Sequence, residues 1–131
     1  MKKLLIVTSL LFLIPFYISK MRNEIIISIL LFINTICSVF FWYDPIQHSM
    51  IHRIDAIFAR ISILFFTMYM LFYKKTEIIM KNMYLSILIN GIIMFYFSDF
   101  YSNIEWCSND HIKYHFIFHI FIIIGSTVVV L

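Results

Sequence analysis

Charged side chains are scarce in this sequence: they make up 13% of its 131 residues, about half of the ~25% usual in a soluble domain. With 63% hydrophobic residues beside them, that scarcity excludes an ordinary soluble globule. Cysteine is nearly absent as well. Cys37 lies in an apolar run and Cys107 in a polar connection, and neither belongs to a CxxC pair. A disulfide between them is neither required nor forbidden, so the redox compartment stays open. No basic stretch interleaves with aromatic residues and the net charge is only +3, which argues against a nucleic-acid partner. Glycine is limited to two residues and alanine to Ala56 and Ala59, while Ile, Phe, Tyr, Asn and Lys are common. That is the bias of an AT-rich genome. Richness in Ile and Phe is therefore discounted, and the arrangement of residues carries the argument.

Five apolar runs approach the roughly 20 residues that a helix needs to cross a bilayer. They cover residues 4–18, 25–43, 54–73, 83–100 and 111–131, so the chain reads as one transmembrane helical domain over 1–131. The connections "KMRNE", "DPIQHSMIHR", "KKTEIIMKN" and "DFYSNIEWCSNDHIK" are too short to hold a soluble domain. The first run, "MKKLLIVTSLLFLIPFYISK", has a basic start, an apolar middle and a helix breaker at Pro15, as a signal peptide does. No clear small-x-small cleavage site follows. Two readings stand: a retained first span, giving five, or a cleaved or anchoring signal, giving four. The expected class is an all-α integral membrane protein, with the lipid bilayer as its medium.

Alternation of five spans sorts the connections between two faces. One face takes the start of the chain and the second and fourth connections. The other takes the first and third connections and the chain's end. Lys20, Arg22, Lys74, Lys75 and Lys81 fall on the latter face, against Lys2, Lys3, Arg53 and Lys113 on the former. By the positive-inside rule the latter face leans cytoplasmic, by a single charge. His48, His52, His111, His115 and His119 all lie on or just below the former face, with Asp44, Asp55, Asp99, Glu105 and Asp110.

A polar constellation follows from this sorting. His111, His115 and His119 stand four apart, so a helix places them on one stripe that Ser126 continues. His119 would lie about 12 Å below His111. In "HRIDAIFARIS", His52, Asp55, Ala59 and Ser62 also share a face. An ionised carboxylate at the bilayer centre costs roughly 2.5 to 3.5 kcal/mol. Asp55, just inside its run, is thus expected to face a cation or the protein interior. Asn34 and Ser38 stand four apart near the same end of the second run, with Ser38 about 8 Å deep. Three spans would so bring a serine, a carboxylate and two imidazoles to one depth. Imidazoles four apart suit zinc, with Asp55 as a third ligand or as the holder of a zinc-bound water. Plainer roles stand beside these. His111 and His115 would be interfacial, His48 a loop residue, Asp55 an ion-pair partner of Arg60 or His52, and Asn34 and Ser38 links between helices. Trp42, Tyr43, Trp106 and Tyr114 would form an aromatic belt.

The order of these patches resembles the superfamily of alkaline ceramidases, progestin/adiponectin receptors, haemolysin-III-like proteins and myomaker-type proteins. "SVFFW" is similar to its serine region, "HRIDAIFARIS" to its aspartate region and "YHFIFHIFIIIGS" to its HxxxH pair. The resemblance implies zinc held by His115 and His119, with Ser38 and Asp55 catalytic and a lipid amide as substrate. It covers about half of the chain in three patches. The superfamily's serine is followed four residues on by histidine, where this chain has Trp42, and His52 would stand in as the missing ligand. The superfamily also has seven helices against five here.

Three functions compete on this reading. The first is a divergent, shortened relative of those zinc-dependent lipid amide hydrolases, kin by ancestry whether or not activity survives. The second is a non-catalytic membrane scaffold or viral envelope component, favoured by brevity and the few small residues. The third is a proton- or ion-handling element, in which Asp55 and the histidines form a relay. Self-association into a homo-oligomer is compatible with all three.

Overall fold

The computed structural model describes residues 2–131, and among them the regular structure is entirely helical. The elements are α1 (Lys2–Leu11), α2 (Leu13–Met21), α3 (Ile25–Tyr43), α4 (Met50–Met68), a π-helical turn (Tyr69–Tyr73), α5 (Ile78–Ile104) and α6 (Asn109–Val130). They form five helices long and apolar enough to cross a bilayer: Lys2–Met21, Ile25–Tyr43, Met50–Tyr73, Ile78–Ile104 and Asn109–Val130. The protein is an all-α, multi-pass membrane bundle.

Pro15 explains why the first span is two helices. Its ring has no N–H and crowds the carbonyl four residues back, at Leu11, where α1 ends. Phe12 keeps right-handed helical angles, so the span continues as one rod with a local break. Its far end closes with Asn23 in the left-handed region, φ 59°, and the Glu24 N–H bonded to the Ser19 carbonyl at 2.9 Å. Asparagine tolerates that conformation better than most residues.

The later helices begin before their apolar runs, because caps rather than hydropathy set their starts. Ser49 and Ser108 each accept the N–H three residues on, from His52 and His111, both at 3.2 Å. Each histidine reciprocates: Nδ1 accepts the N–H of the residue before the serine, His48 at 3.0 Å and Cys107 at 3.1 Å. Those two residues take positive φ, 61° and 60°. "HSMIH" and "CSNDH" are thus the same reciprocal cap used twice, related to the Ser-x-x-Glu capping box with histidine in the glutamate's place. At the other end of the third span, Lys74 donates to the carbonyl of Val129 and ties that span to α6. Burial lowers the Lys74 ammonium below its usual value; Glu24 opposes this and Arg22 reinforces it.

Around the bundle the order is α4, α3, the first span, α6, α5. The buried face of α3 is one stripe, Ile27, Leu31, Asn34, Thr35, Ser38 and Phe41, and it packs on the first span and on α4. α6 packs on the first span and, most extensively, on α5. No comparable packing joins α4 to α5 or α6. The cross-section is therefore a horseshoe with its gap between α4 and α5. The gap closes toward the 74–77 connection, where Thr67 Oγ1 and Tyr84 OH are 2.9 Å apart. There a dry core including Phe12, Leu31, Phe66, Met70, Ile123 and Val129 fills the bundle.

The first span is integral to this packing. Leu5, Thr8, Ser9 and Ser19 are fully buried or nearly so, and Ser19 and Ser28 hydroxyls meet at 2.8 Å. A four-span bundle would leave those α3 and α6 surfaces uncovered.

Candidate functional site

Toward the histidine-bearing end the horseshoe encloses a cavity of about 590 Å³. Every residue singled out by the sequence, Ser38, His52, Asp55, His115 and His119, lies on its wall. Parity and helical periodicity place them there: the ends of α3 and α5 meet the starts of α4 and α6. The back wall, from the first span, α3 and α6, is buried or half-buried. The exposed lining residues, among them Arg53, Arg60, Ile92 and Asp99, belong to α4 and α5, apart from His48 in the connection before α4, so the mouth opens between those two helices and reaches the histidine-bearing end.

The first span positions Ser38 and His119. Thr8 and Ser9 both donate to the Leu5 carbonyl, at 3.1 and 2.7 Å. Each hydroxyl has then spent its only proton and accepts from its second partner. Ser9 accepts from Ser38 Oγ at 2.7 Å, and Thr8 accepts from His119 Nδ1 at 2.9 Å. His119 so carries its proton on Nδ1 and keeps a bare lone pair on Nε2. His115 Nδ1 lies 3.0 Å from Ser98 Oγ of α5. Either partner can donate in that contact, according to the tautomer of the His115 ring. The two rings touch edge to face, centroids 4.8 Å apart. Neither Nε2 is a sealed, unpaired polar atom.

Several expected roles change. His52 is a helix cap: its Nδ1 accepts a backbone N–H, so its outer nitrogen bears the proton and offers no lone pair to a metal. Its ring stacks on Phe41, 4.7 Å between centroids. His111 is 3% exposed and caps α6, so it is not an interfacial ring. Trp42 leaves the belt: it is 1% exposed, packed 4.9 Å from His115, and its Nε1 has no partner. Trp106 instead clasps the two connections by donating to the Pro45 carbonyl at 2.8 Å. Asp55 makes no ion pair with Arg60. Five residues of helix put the two about 140° apart. Nor does it pair with His52, whose Nδ1 is committed to the cap. Asn34 does bond Ser62 across α3 and α4, as expected of a link between helices. Both cysteines are free.

Zinc needs three protein ligands at a hydrolytic site. Among the described residues no group of three His, Cys, Asp or Glu side chains gathers closely enough to hold a metal ion. His115 and His119 are two neighbouring imidazoles with Trp42 beside them where a third would stand. Thr8, Ser9 and Ser98 were not foreseen as parts of the site. Thr8 and Ser9 are adjacent hydroxyls inside an apolar run, a signal that the resemblance of that run to a leader masks. Protein-family models, curated proteins and solved structures were each compared with this chain, and none matches it.

Proposed function

We propose that this protein binds a membrane lipid in the cavity, taking it sideways from the bilayer between α4 and α5 and holding its polar end toward the histidine-bearing end. One observation carries the reading: a cavity of about 590 Å³ whose charged and imidazole groups gather toward the histidine end, whose remaining walls are mainly apolar, and whose exposed rim lies largely on α4 and α5. Ligand sites commonly measure about 300 to 1,000 Å³ and combine apolar walls with a few convergent polar groups. Phe12, Leu31, Phe118 and Ile122 supply the walls.

Kinship with the ceramidase-like superfamily is part of this proposal, as ancestry. It is supported by the presence of Ser38, Asp55, His115 and His119 on one cavity. Retained hydrolysis has less support. Ser38 already donates to Ser9, so it cannot donate to an oxyanion without rearranging. The third zinc ligand is missing from the arrangement among the described residues. A relay reading fares worse, because beyond Ser62 and Ser126 at the foot of the cavity the dry core follows.

The test is lipid retention and metal content of the same sample. Protein purified in a maltoside detergent is expected to keep about one lipid per chain by native mass spectrometry. Ile122→Trp, which pushes an indole into the cavity from its apolar wall, is expected to weaken that retention. Equal retention in both would sink the binding reading. Near-stoichiometric zinc, lost in His115→Ala/His119→Ala, would establish the metallo-hydrolase form instead.

A further inference from the structure

Four charged side chains line the cavity without an ion-pair or hydrogen-bond partner among the described residues: Arg53, Arg60, Asp55 and Asp99, with the Asp99 carboxylate distinct from its bonded carbonyl. Two cations and two carboxylates in a bilayer-embedded cleft are costly unless something pairs with them. Resting on the lipid-binding reading above, we propose that the occupant is a zwitterionic phospholipid, its phosphate held by Arg60 and Arg53 and its ammonium by Asp99.

Position on the helices supports this. Arg53 and Arg60 are seven residues apart, so they share a face within about 20°. That face is the α4 rim of the mouth, whereas Asp55 lies on the side toward α3. Arg53 is about 4.5 Å from the start of α4 and Arg60 about 15 Å. Side chains on a helix lean toward its N-terminus, here the histidine-bearing end. The long Arg60 side chain so carries its guanidinium up toward Arg53, with its methylenes along the apolar wall. Across the mouth, Asp99 sits about 7.5 Å from the end of α5, between the levels of the two arginines. A phosphate one turn below the headgroup layer would meet a guanidinium fork that suits its geometry. A cationic head would meet the Asp99 carboxylate. The acyl chains would leave through the mouth past Ile92 and Phe95. A neutral diacylglycerol would leave Arg53, Arg60 and Asp99 unpaired, and a purely anionic head would leave Asp99 facing its own sign.

Delipidated full-length protein in maltoside would be titrated separately with phosphatidylcholine, phosphatidylglycerol and diacylglycerol of matched chains, with single occupancy read by native mass spectrometry. Phosphatidylcholine is expected to bind at least tenfold tighter than diacylglycerol. Arg60→Gln is expected to remove most of that preference, and Arg60→Lys to keep part of it. Asp99→Asn is expected to shift preference from phosphatidylcholine toward phosphatidylglycerol. Diacylglycerol binding as tightly as phosphatidylcholine would overturn the headgroup assignment and leave the lipid cavity standing. Failure of all three lipids to occupy a single site would overturn the cavity reading itself. Asp99 is exposed at the rim, so its variant keeps the test informative even if an Arg60 variant folds poorly.

Discussion

Replacing Thr8 with valine would remove the oxygen that accepts from His119 Nδ1 and leave that N–H inside the bundle without a partner. Hydrogen bonds between membrane helices average about 0.6 kcal/mol, and an orphaned buried donor costs about 1 to 3 kcal/mol. A loss of about 1 to 3 kcal/mol is expected, measured by steric trapping in bicelles, together with weaker lipid retention. Unchanged stability would show that His119 is held by packing alone. Trp42 offers the complementary experiment. It sits against His115 at the position where the resembled superfamily has histidine. Trp42→His is expected to complete a three-imidazole set and raise zinc content by plasma mass spectrometry, while Trp42→Phe leaves it at the native level. The serine, the aspartate and the HxxxH pair were legible from spacing, because helical period alone sets which residues share a stripe. Their proton states were not, because these depend on partners from other helices: Thr8 for His119, Ser98 for His115 and a backbone N–H for His52.

At the scale of elements, hydropathy located the helices, but caps and close approaches decide where they start and how they pack. Ser108→Ala would remove the acceptor for the His111 N–H and is expected to cost about 1 kcal/mol. Hydrogen exchange should then rise in the first turn of α6 and nowhere else. The two glycines of the chain both lie where α5 meets α6. A Cβ at Gly91 would stand 3.3 Å from Phe121 Cβ, which cannot swing away, whereas at Gly125 the nearest atom, Ile87 Cγ2, is at 3.4 Å on a side chain. Alanine gains about 1 kcal/mol of helix propensity at either site. Gly125→Ala is thus expected to be the more stable variant by about 1 kcal/mol, since Gly91→Ala must push the helices apart. Equal stabilities would mean that the α5–α6 contact is softer than this packing implies. Glycine scarcity in the sequence hinted at neither site; each is fixed by a neighbour on the other helix, Phe121 for Gly91 and Ile87 for Gly125.

For the whole molecule, the horseshoe places Cys107 with the histidines and Lys75 at the opposite end. Burial pushes the Cys107 thiol up, with Lys2 opposing, so little thiolate forms at neutral pH. Labelling by an impermeant maleimide should be slow at pH 7 and accelerate steadily into the alkaline range. In sealed vesicles it should reach Cys107 from one side only. Lys75→Cys, on a Cys37→Ser/Cys107→Ser background, should label from the other. Labelling of both from the same side would break the five-span topology.

Five apolar runs, one shared face for the histidines and acidic residues, and depths of Ser38, Asp55, His115 and His119 within about two helical turns of one another were set by the sequence alone. Each depends only on local hydropathy, helical period and the parity of crossings. Tertiary structure decided that the first span belongs to the bundle, that His52 and His111 are caps, and that Trp42 is interior. It also decided that α4 stands away from α5 at one end. Those outcomes rest on contacts between residues far apart in the chain, which no local pattern encodes. The unpaired charges at the mouth have meaning only because that gap exists.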